Sequence, residues 1–466
     1  QLQEHGHEMD ADGLELAYEV TLRIFFRLLF QVYAEDRKLL PYGENAKYDR
    51  NALKTVARDL VDDPDQEFDT ESTSLWDDLA QVWRVIDVDD KAWGVPPYNG
   101  GLFSSESTGA AQALEALTLS DAVFAPPLRA LLLDEAEEGR QMPIDFRSLG
   151  VREFGTIYEG LLEQELAVAG QDLGVDRKTG AYVPAKRGIA VVVPEGKVYL
   201  HNASGARKAS GAYYTKEFAV EHLLEHALDP ALDDHLARVK ARYDAREQAA
   251  RFFDFHVADI AMGSGHFLVA AIDRIERKLS GYLAENPLVG VRAELDRLRQ
   301  AAREALGDDY GGDQLEDTQL LRRQIARRCV FGVDMNPLAV ELARLSIWIH
   351  TFVPGLPLSF LDQDLVVGNS LVGIATFEEA KELLGAGEDL FAVTAEELLS
   401  GAREPLEKLA RLADATVAEV KEAKKLYAQA RAAIKPTEDL FTILAASRLD
   451  RPRRRQNREE ILRRLD

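Results

Sequence analysis

The run Val257-Ala-Asp-Ile-Ala-Met-Gly-Ser-Gly-His-Phe-Leu268 reads as a strand ending in an acid, a Gly-x-Gly turn, and a helix starting near His266. Gly263 and Gly265 remove the Cβ atoms that would block a ligand lying against the backbone. The amides at the following helix N-terminus can receive a carboxylate or a phosphate. The same turn would also suit a tight strand–helix joint in which glycine serves packing. A dinucleotide fingerprint asks for a third glycine near Val269, and its absence argues against NAD. Val330-Phe-Gly-Val-Asp-Met-Asn-Pro-Leu338 repeats the arrangement. A second strand ends in Asp334, Asn336 can cap the next helix, and Pro337 takes the first helical position, where its missing N–H costs nothing. An acid at that strand tip can accept hydrogen bonds from the two hydroxyls of a ribose. Its alternative duty is to support the helix cap.

Three other residue sets invite chemistry. His222-Leu-Leu-Glu-His226 matches the H-x-x-E-H pattern of one class of zinc hydrolases, with both histidines on one helix face. That chemistry needs a third ligand and an open coordination position, whereas Leu223, Leu224 and Ala227 give the segment a packing face, so no metal is expected. Cys329, just before an apolar run, reads as a small core residue. His266 adjoins the glycine turn as a helix N-terminal residue within reach of a ligand.

The elements that must position these residues follow from periodicity. Apolar runs at Phe253–Ile260 and Val330–Asp334, each followed by a helical pattern, indicate βαβ units and a parallel sheet. The glycines and Asp334 are further apart than the usual ~20 residues; a charged helical insertion over 285–328 accounts for this, because it lengthens the crossover without moving the strand ends. Before this core, Leu14, Ala17, Thr21, Ile24, Leu28 and Val32 predict a helix over 14–40 that Pro41 stops. Stretches 62–67 and 70–74 read as acidic surface loops. Tyr98-Asn-Gly-Gly-Leu-Phe103 reads as a turn whose aromatic ends pack inward. Phe154, Ile157, Leu161 and Leu162 predict a helix over 152–166. Ala190–Val193 and Lys197–Leu200 predict an antiparallel hairpin around Pro194–Gly196. Beyond Phe377 the Ala-, Glu-, Lys- and Leu-rich chain, with Val417, Val420, Ala423 and Leu426 at helical spacing, predicts antiparallel helices. We therefore expect a mostly helical unit over 1–200, an α/β core over 201–376 and a helical segment over 377–466.

The 466 residues suffice for two to four domains at roughly 100–200 residues each. With 46% hydrophobic and 29% charged residues, the chain belongs to neither the disordered nor the fibrous class. A single cysteine excludes a disulfide framework and a cysteine zinc cluster, and fits a reducing cytoplasm. No stretch approaches the ~20 apolar residues of a membrane helix, so no membrane partner is expected. The chain opens on Gln1 rather than Met, so we expect a piece of a longer polypeptide. The net charge of −24 argues against nucleic acid as an average, but local clefts decide specific contact, and Arg451–Arg464 is one basic patch.

Taken together, these motifs resemble those of gamma-class N6-adenine DNA methyltransferases. Asp259–Leu268 is similar to their motif I (D-P-x-C-G-S-G-x-F-L), and Asp334 lies where they hold the ribose of S-adenosylmethionine in motif II. Arg207-Lys-Ala-Ser-Gly-Ala-Tyr-Tyr-Thr-Lys216 looks like motif X (S-G-x-Y-Y-T-P), and Leu365-Val-Val-Gly-Asn-Ser-Leu371 looks like the G-D-S-L form of motif III. The order X–I–II–III matches the class. Segments 22–41, 98–103 and 155–162 resemble the helical part of the large type IIG and phage-defence enzymes (BREX- or DISARM-like), so the resemblance covers most of the chain.

The resemblance implies a Rossmann-like S-adenosylmethionine-dependent core, with a largely helical N-terminal domain and a helical C-terminal segment. It implies cofactor contacts from Tyr214, Thr215, Asp259, Ala261, Gly263, Ser264, Gly265, Phe267, Asp334, Met335 and Asn369. The implied ligand is S-adenosylmethionine, lying across the strand ends at a topological switch point. The implied partner is double-stranded DNA with its target adenine flipped out, alongside other subunits of a restriction-modification or phage-defence system. The chain departs from the pattern at Ile260, Met262, Lys216 and Asn369, which replace the motif I proline and cysteine, the motif X proline and the motif III acid. Motif IV, [N/D/S]-P-P-[Y/F/W], which binds the target adenine, is absent; Val95-Pro-Pro-Tyr98 lacks the amide or acid and reads as a structural turn. The chain alone is thus expected to bind cofactor without turnover. A helical scaffold on a relic methyltransferase fold is the alternative, and a fused nuclease finds no P-D…(D/E)-x-K cluster.

Overall fold

The computed structural model of the chain describes residues 7–88, 90–95, 98, 102–103, 109–135, 141–150, 164–176, 181–185, 189–202, 215–306, 315–374 and 400–449, with isolated positions besides. The fold is mixed α/β and mostly helical. It opens with the Ala11–Asp36 helix, whose N-cap Asp10 accepts the Gly13 amide at 3.0 Å. Of the stripe read from the sequence, Leu28 and Val32 are buried, Leu14, Ala17 and Ile24 are half-buried and Thr21 is exposed; Val20, Phe26, Leu29, Phe30 and Tyr33 complete the buried face. The helix stops at Asp36, short of Pro41, because the chain turns back through Lys38 at a φ of 57° and the Leu39 amide donates to Ala34.

Buried Glu35 does a neighbouring helix's capping. The Leu53–Asp62 helix starts after Ala52, which has no capping side chain. Glu35 instead accepts the Leu53 and Lys54 amides at 3.0 and 2.9 Å, and the Tyr48 hydroxyl at 2.8 Å. Arg27 similarly donates to the carbonyls of Leu102 and Phe103 at 3.0 and 3.1 Å, with its guanidinium over the rings of Trp83 and Phe103. Burial pushes Arg27 down to about 10, which leaves it cationic at neutral pH. Tyr98 and Phe103 are buried, as expected for the ends of that segment, and residues 99–101 between them lie outside the described residues.

Residues 133–202 depart from the sequence reading. Gln164–Val168 is a strand, so the pattern over 152–166 does not continue as helix. The predicted hairpin does not form: Val198–Asn202 pairs antiparallel with Gln164–Val168 instead of with Ala190–Val193. Val193 bridges Leu173, and only the tight Pro194–Gly196 turn survives from the prediction. We label the strands β1 (Leu133–Glu135), β2 (Gln141–Pro143), β3 (Gln164–Val168), β4 (Leu173–Val175), β5 (Tyr182–Pro184) and β6 (Val198–Asn202); they form the two-stranded pairs β1–β2, β3–β6 and β4–β5.

The central sheet is parallel, with strands β7 (Val257–Asp259), β8 (Val330–Asp334) and β9 (Leu365–Val367) in the order β7-β8-β9. The predicted 253–260 strand shortens to β7 because Phe252 and Phe253 turn into the core. The strands follow in sequence without a reversal of order among the described residues, so the expected switch point is not seen there. The expected insertion is two helices, Val289–Leu306 and Asp317–Arg328, beside the His266–Glu285 helix. The apolar core continues unbroken from Val20 to Ala415. Its joint between the N-terminal helices and the sheet region is aromatic: Tyr98 and Phe352 lie 4.9 Å apart, and Phe30 contacts both Phe103 and Phe352.

Residues 400–409 and the Val417–Leu449 helix lie antiparallel as expected, with Gly401 opposite Ala433 and Leu409 packed with Ala423, Leu426 and Phe360. An ionic knot anchors their connection. Asp414, fully buried, accepts Arg327 Nε and the Phe360 amide at 3.0 Å each, and Arg323 donates to the Asp414 carbonyl. Burial raises the nearby Asp364 carboxyl well above its usual range; Arg327 opposes the rise and Asp414 adds to it. A carboxyl raised in the folded state favours folding at low pH, and the cost grows as pH rises through and beyond the unfolded value of about 3.9. Asp364→Asn is therefore expected to raise the thermal midpoint at pH 8 and to narrow its gap from wild type at pH 4, measured by differential scanning calorimetry.

Candidate functional site

The strand ends carry the site. The β7 tip leads into the turn, where Gly263 and Gly265 take φ values of 54° and 83°, and Gly265 is the N-cap of the His266–Glu285 helix. The β8 tip leads through Asp334 to Asn336, whose side chain accepts the Leu338 amide at 2.9 Å, with Pro337 at the first helical position as read from the sequence. Asn369 follows two residues past β9.

Asp334 joins all three tips. Its Oδ2 accepts the Gly263 amide and its Oδ1 the Asn336 amide, both at 2.9 Å. Its carbonyl accepts the Gly368 amide at 2.8 Å, next to Asn369, and the Met262 amide donates to Val333 at 3.1 Å. The acid thus serves the turn as well as the cap. Each carboxylate oxygen retains a lone pair for a further donor.

The other residues expected to contact cofactor divide. Asp259 accepts the Ala261 amide at 3.1 Å. Burial raises its carboxyl above the usual range, the Ala261 amide opposes the rise, and the charge of Asp334 adds to it. Ala261, Met335 and Asn369 are exposed at the strand ends, and Ser264 is buried. Phe267 packs against the core. Thr215 is exposed just before the Glu217–Leu223 helix, and Glu217 lies close enough to His266 to oppose the fall in its basicity caused by burial. Tyr214 lies outside the described residues, as does Arg451–Arg464. Asn369 Oδ1 accepts the Leu371 and Val372 amides at 2.9 and 3.0 Å, so its side chain offers a ligand only the amide N–H groups.

Gly265 has a packing reason as well. A Cβ there would lie 3.1 Å from the Ala343 Cβ and 3.2 Å from its Cα, so its missing side chain leaves room for the Pro337–His350 helix. Gly265→Ala combines that contact with a left-handed backbone, a strain of about 1–2 kcal/mol. It is expected to lower the thermal midpoint by several degrees, read by circular dichroism; an unchanged midpoint would show that the joint has slack.

Sequence reasoning named Met335 but missed the apolar rim around it. Ile260, Met335, Val367 and Leu371 are 57%, 67%, 54% and 89% exposed around the strand ends. The available signal was apolar residues continuing past each strand's acid or glycine, where solvent-facing loops are ordinarily polar. The H-x-x-E-H match gains no third ligand: among the described residues, no group of three or more metal-binding side chains occurs. Cys329 is fully buried, as expected, and its thiol is pushed up to about 12 by burial. Val95 and Tyr98 are buried, and Pro96 and Pro97 between them lie outside the described residues. No helix among the described residues is long and apolar enough to cross a membrane.

No protein-family model, no curated protein and no solved structure matches the chain.

Proposed function

We propose that the chain is the S-adenosylmethionine-binding part of an adenine-N6 DNA methyltransferase in a cytoplasmic restriction-modification or phage-defence system. The observation that carries this reading is Asp334, which binds the glycine turn through its carboxylate and the Asn369 loop through its carbonyl. Three loops needed around one nucleoside are thereby tied to one residue.

The residues fit a cationic nucleoside. Asp259 and Asp334 make the strand ends electronegative, which suits a sulfonium. Ile260, Met335, Val367 and Leu371 offer apolar area to the faces of a purine, and the spare lone pairs of Asp334 can take ribose hydroxyls. When bound, the cofactor supplies a methyl group already activated as a sulfonium. The chain's own contribution is then to position and exclude water, without metal chemistry. A target adenine in double-stranded DNA would be flipped out to reach such a site, and the acceptors for its N6 amine are those of the missing motif IV. The chain is accordingly expected to bind cofactor and to leave DNA unmethylated until another segment or subunit supplies them. Calorimetric titration of the folded chain with S-adenosylmethionine tests this, and the absence of binding heat at any cofactor concentration would end the reading.

One observation favours a second reading, a helical scaffold on a relic methyltransferase fold. Gly265 has a packing reason in Ala343, and both oxygens of Asp334 already serve internal amides. Under that reading the thermal midpoint does not move with cofactor, whereas a true ligand raises it by mass action.

A further inference from the structure

We propose that His222 and His226 form an open two-imidazole site for a divalent ion of the nickel, copper or zinc class. The two rings lie 4.2 Å apart, centroid to centroid, at an interplanar angle of 32°. Both histidines are exposed, while Leu224 and Leu228 of the same segment are buried, so core packing does not force the rings together. The backbone between them is π-helical over Leu224–Leu228, a form that is rare and recurs at functional sites.

The hydrogen bonding selects the ligating atom. His226 Nδ1 lies 3.1 Å from the His222 carbonyl, which can only accept, so Nδ1 carries the proton and Nε2 keeps the lone pair. Anchoring one ring nitrogen on a carbonyl is how ligating histidines are commonly oriented. Glu225 places a carboxylate 4.0 Å from that same Nδ1, on the side of the ring away from Nε2. Two cations of the adjoining His266–Glu285 helix are held by acids: Arg274 pairs with Glu221 and Asp229, and Lys278 pairs with Asp229 and Asp233. Imidazole donors select nickel, copper and zinc over magnesium and calcium. With two protein ligands the remaining positions belong to water or to a partner's donor atom, unlike a closed structural site. The H-x-x-E-H pattern then persists as a docking point for metal, with no hydrolase attached.

Calorimetric titration of the full chain with nickel chloride tests the proposal against His222→Gln, His226→Gln and the double variant. Both side chains are exposed, and circular dichroism checks that each variant folds. Wild type is expected to bind nickel in the micromolar range, each single variant at least tenfold more weakly, and the double variant to lose that binding event. Identical heats from wild type and the double variant would overturn the proposal, because His5, His7 or another group would then be the ligand. A single variant that titrates like wild type would overturn it equally, by showing that one imidazole suffices.

Discussion

Replacing Asp414 with alanine is expected to destabilise the folded chain by about 3–5 kcal/mol, the usual penalty for leaving a buried charge without its partner. Arg327 and Asp414 have side-chain exposures of 3% and 0%, and the acid also holds the Phe360 amide. Removing the carboxylate strands Arg327 between the Asp317–Arg328 helix and the 409–414 loop, and it frees a buried amide. Asp414 sits at a φ of 52°, so Asp414→Ala adds left-handed strain that asparagine avoids. Comparing Asp414→Asn with Asp414→Ala separates the lost charge from that strain. A companion variant, Arg327→Met with Asp414→Asn, removes both charges and is expected to recover much of the loss. Urea unfolding followed by tryptophan emission reads the effect as a lower first midpoint. A chain of this size need not unfold in one step, so the midpoint is compared rather than an extrapolated free energy. An Asp414→Ala midpoint equal to wild type would show the knot to be energetically silent.

The second large effect concerns the strand ends. Asp334→Ala is expected to weaken S-adenosylmethionine binding by about 10²- to 10⁴-fold, since hydrogen bonds to a charged group contribute roughly 1.5–3 kcal/mol each and a ribose offers two donors. The same change frees the amides of Gly263 and Asn336, so part of the loss reflects a loosened turn. Asp334→Asn divides the two contributions: its oxygen still accepts one amide, while the charge opposite the sulfonium is gone. Equal affinity of wild type and both variants, by calorimetry on folded protein, would exclude this acid from the ligand site and favour the scaffold reading.

The local parts of the fold were legible in the sequence, and the partnerships mostly were not. The glycine turn, the Asn336–Pro337 helix start and the extent of β8 follow from steric and hydrogen-bonding preferences that act within a few residues. The partner of Val198–Asn202 is set by a strand more than thirty residues upstream, and alternation alone gives no preference between it and the nearer Ala190–Val193. The Asp317–Arg328 helix is charged enough to read as a solvated insertion, yet Arg323, Gln324 and Arg327 are buried. Their partners, Asp414, Ala413 and the Leu409 carbonyl, lie some eighty to ninety residues away. At the strand ends, the residue types pointed to loops that the fold brings together. That Asp334 would tie those loops together, and that Gly265 would answer to Ala343, depends on a close approach that spacing does not encode.

The Gly265–Ala343 contact has a mechanical consequence. A close-packed joint transmits displacement instead of absorbing it, so the glycine turn and the Pro337–His350 helix should move as one lever. Just past the end of that helix, Phe352 is wedged against Phe30 and Tyr98 of the N-terminal half. Any shift of a few tenths of an ångström at the turn is therefore passed along that helix toward the aromatic joint that links the sheet region to the N-terminal helices.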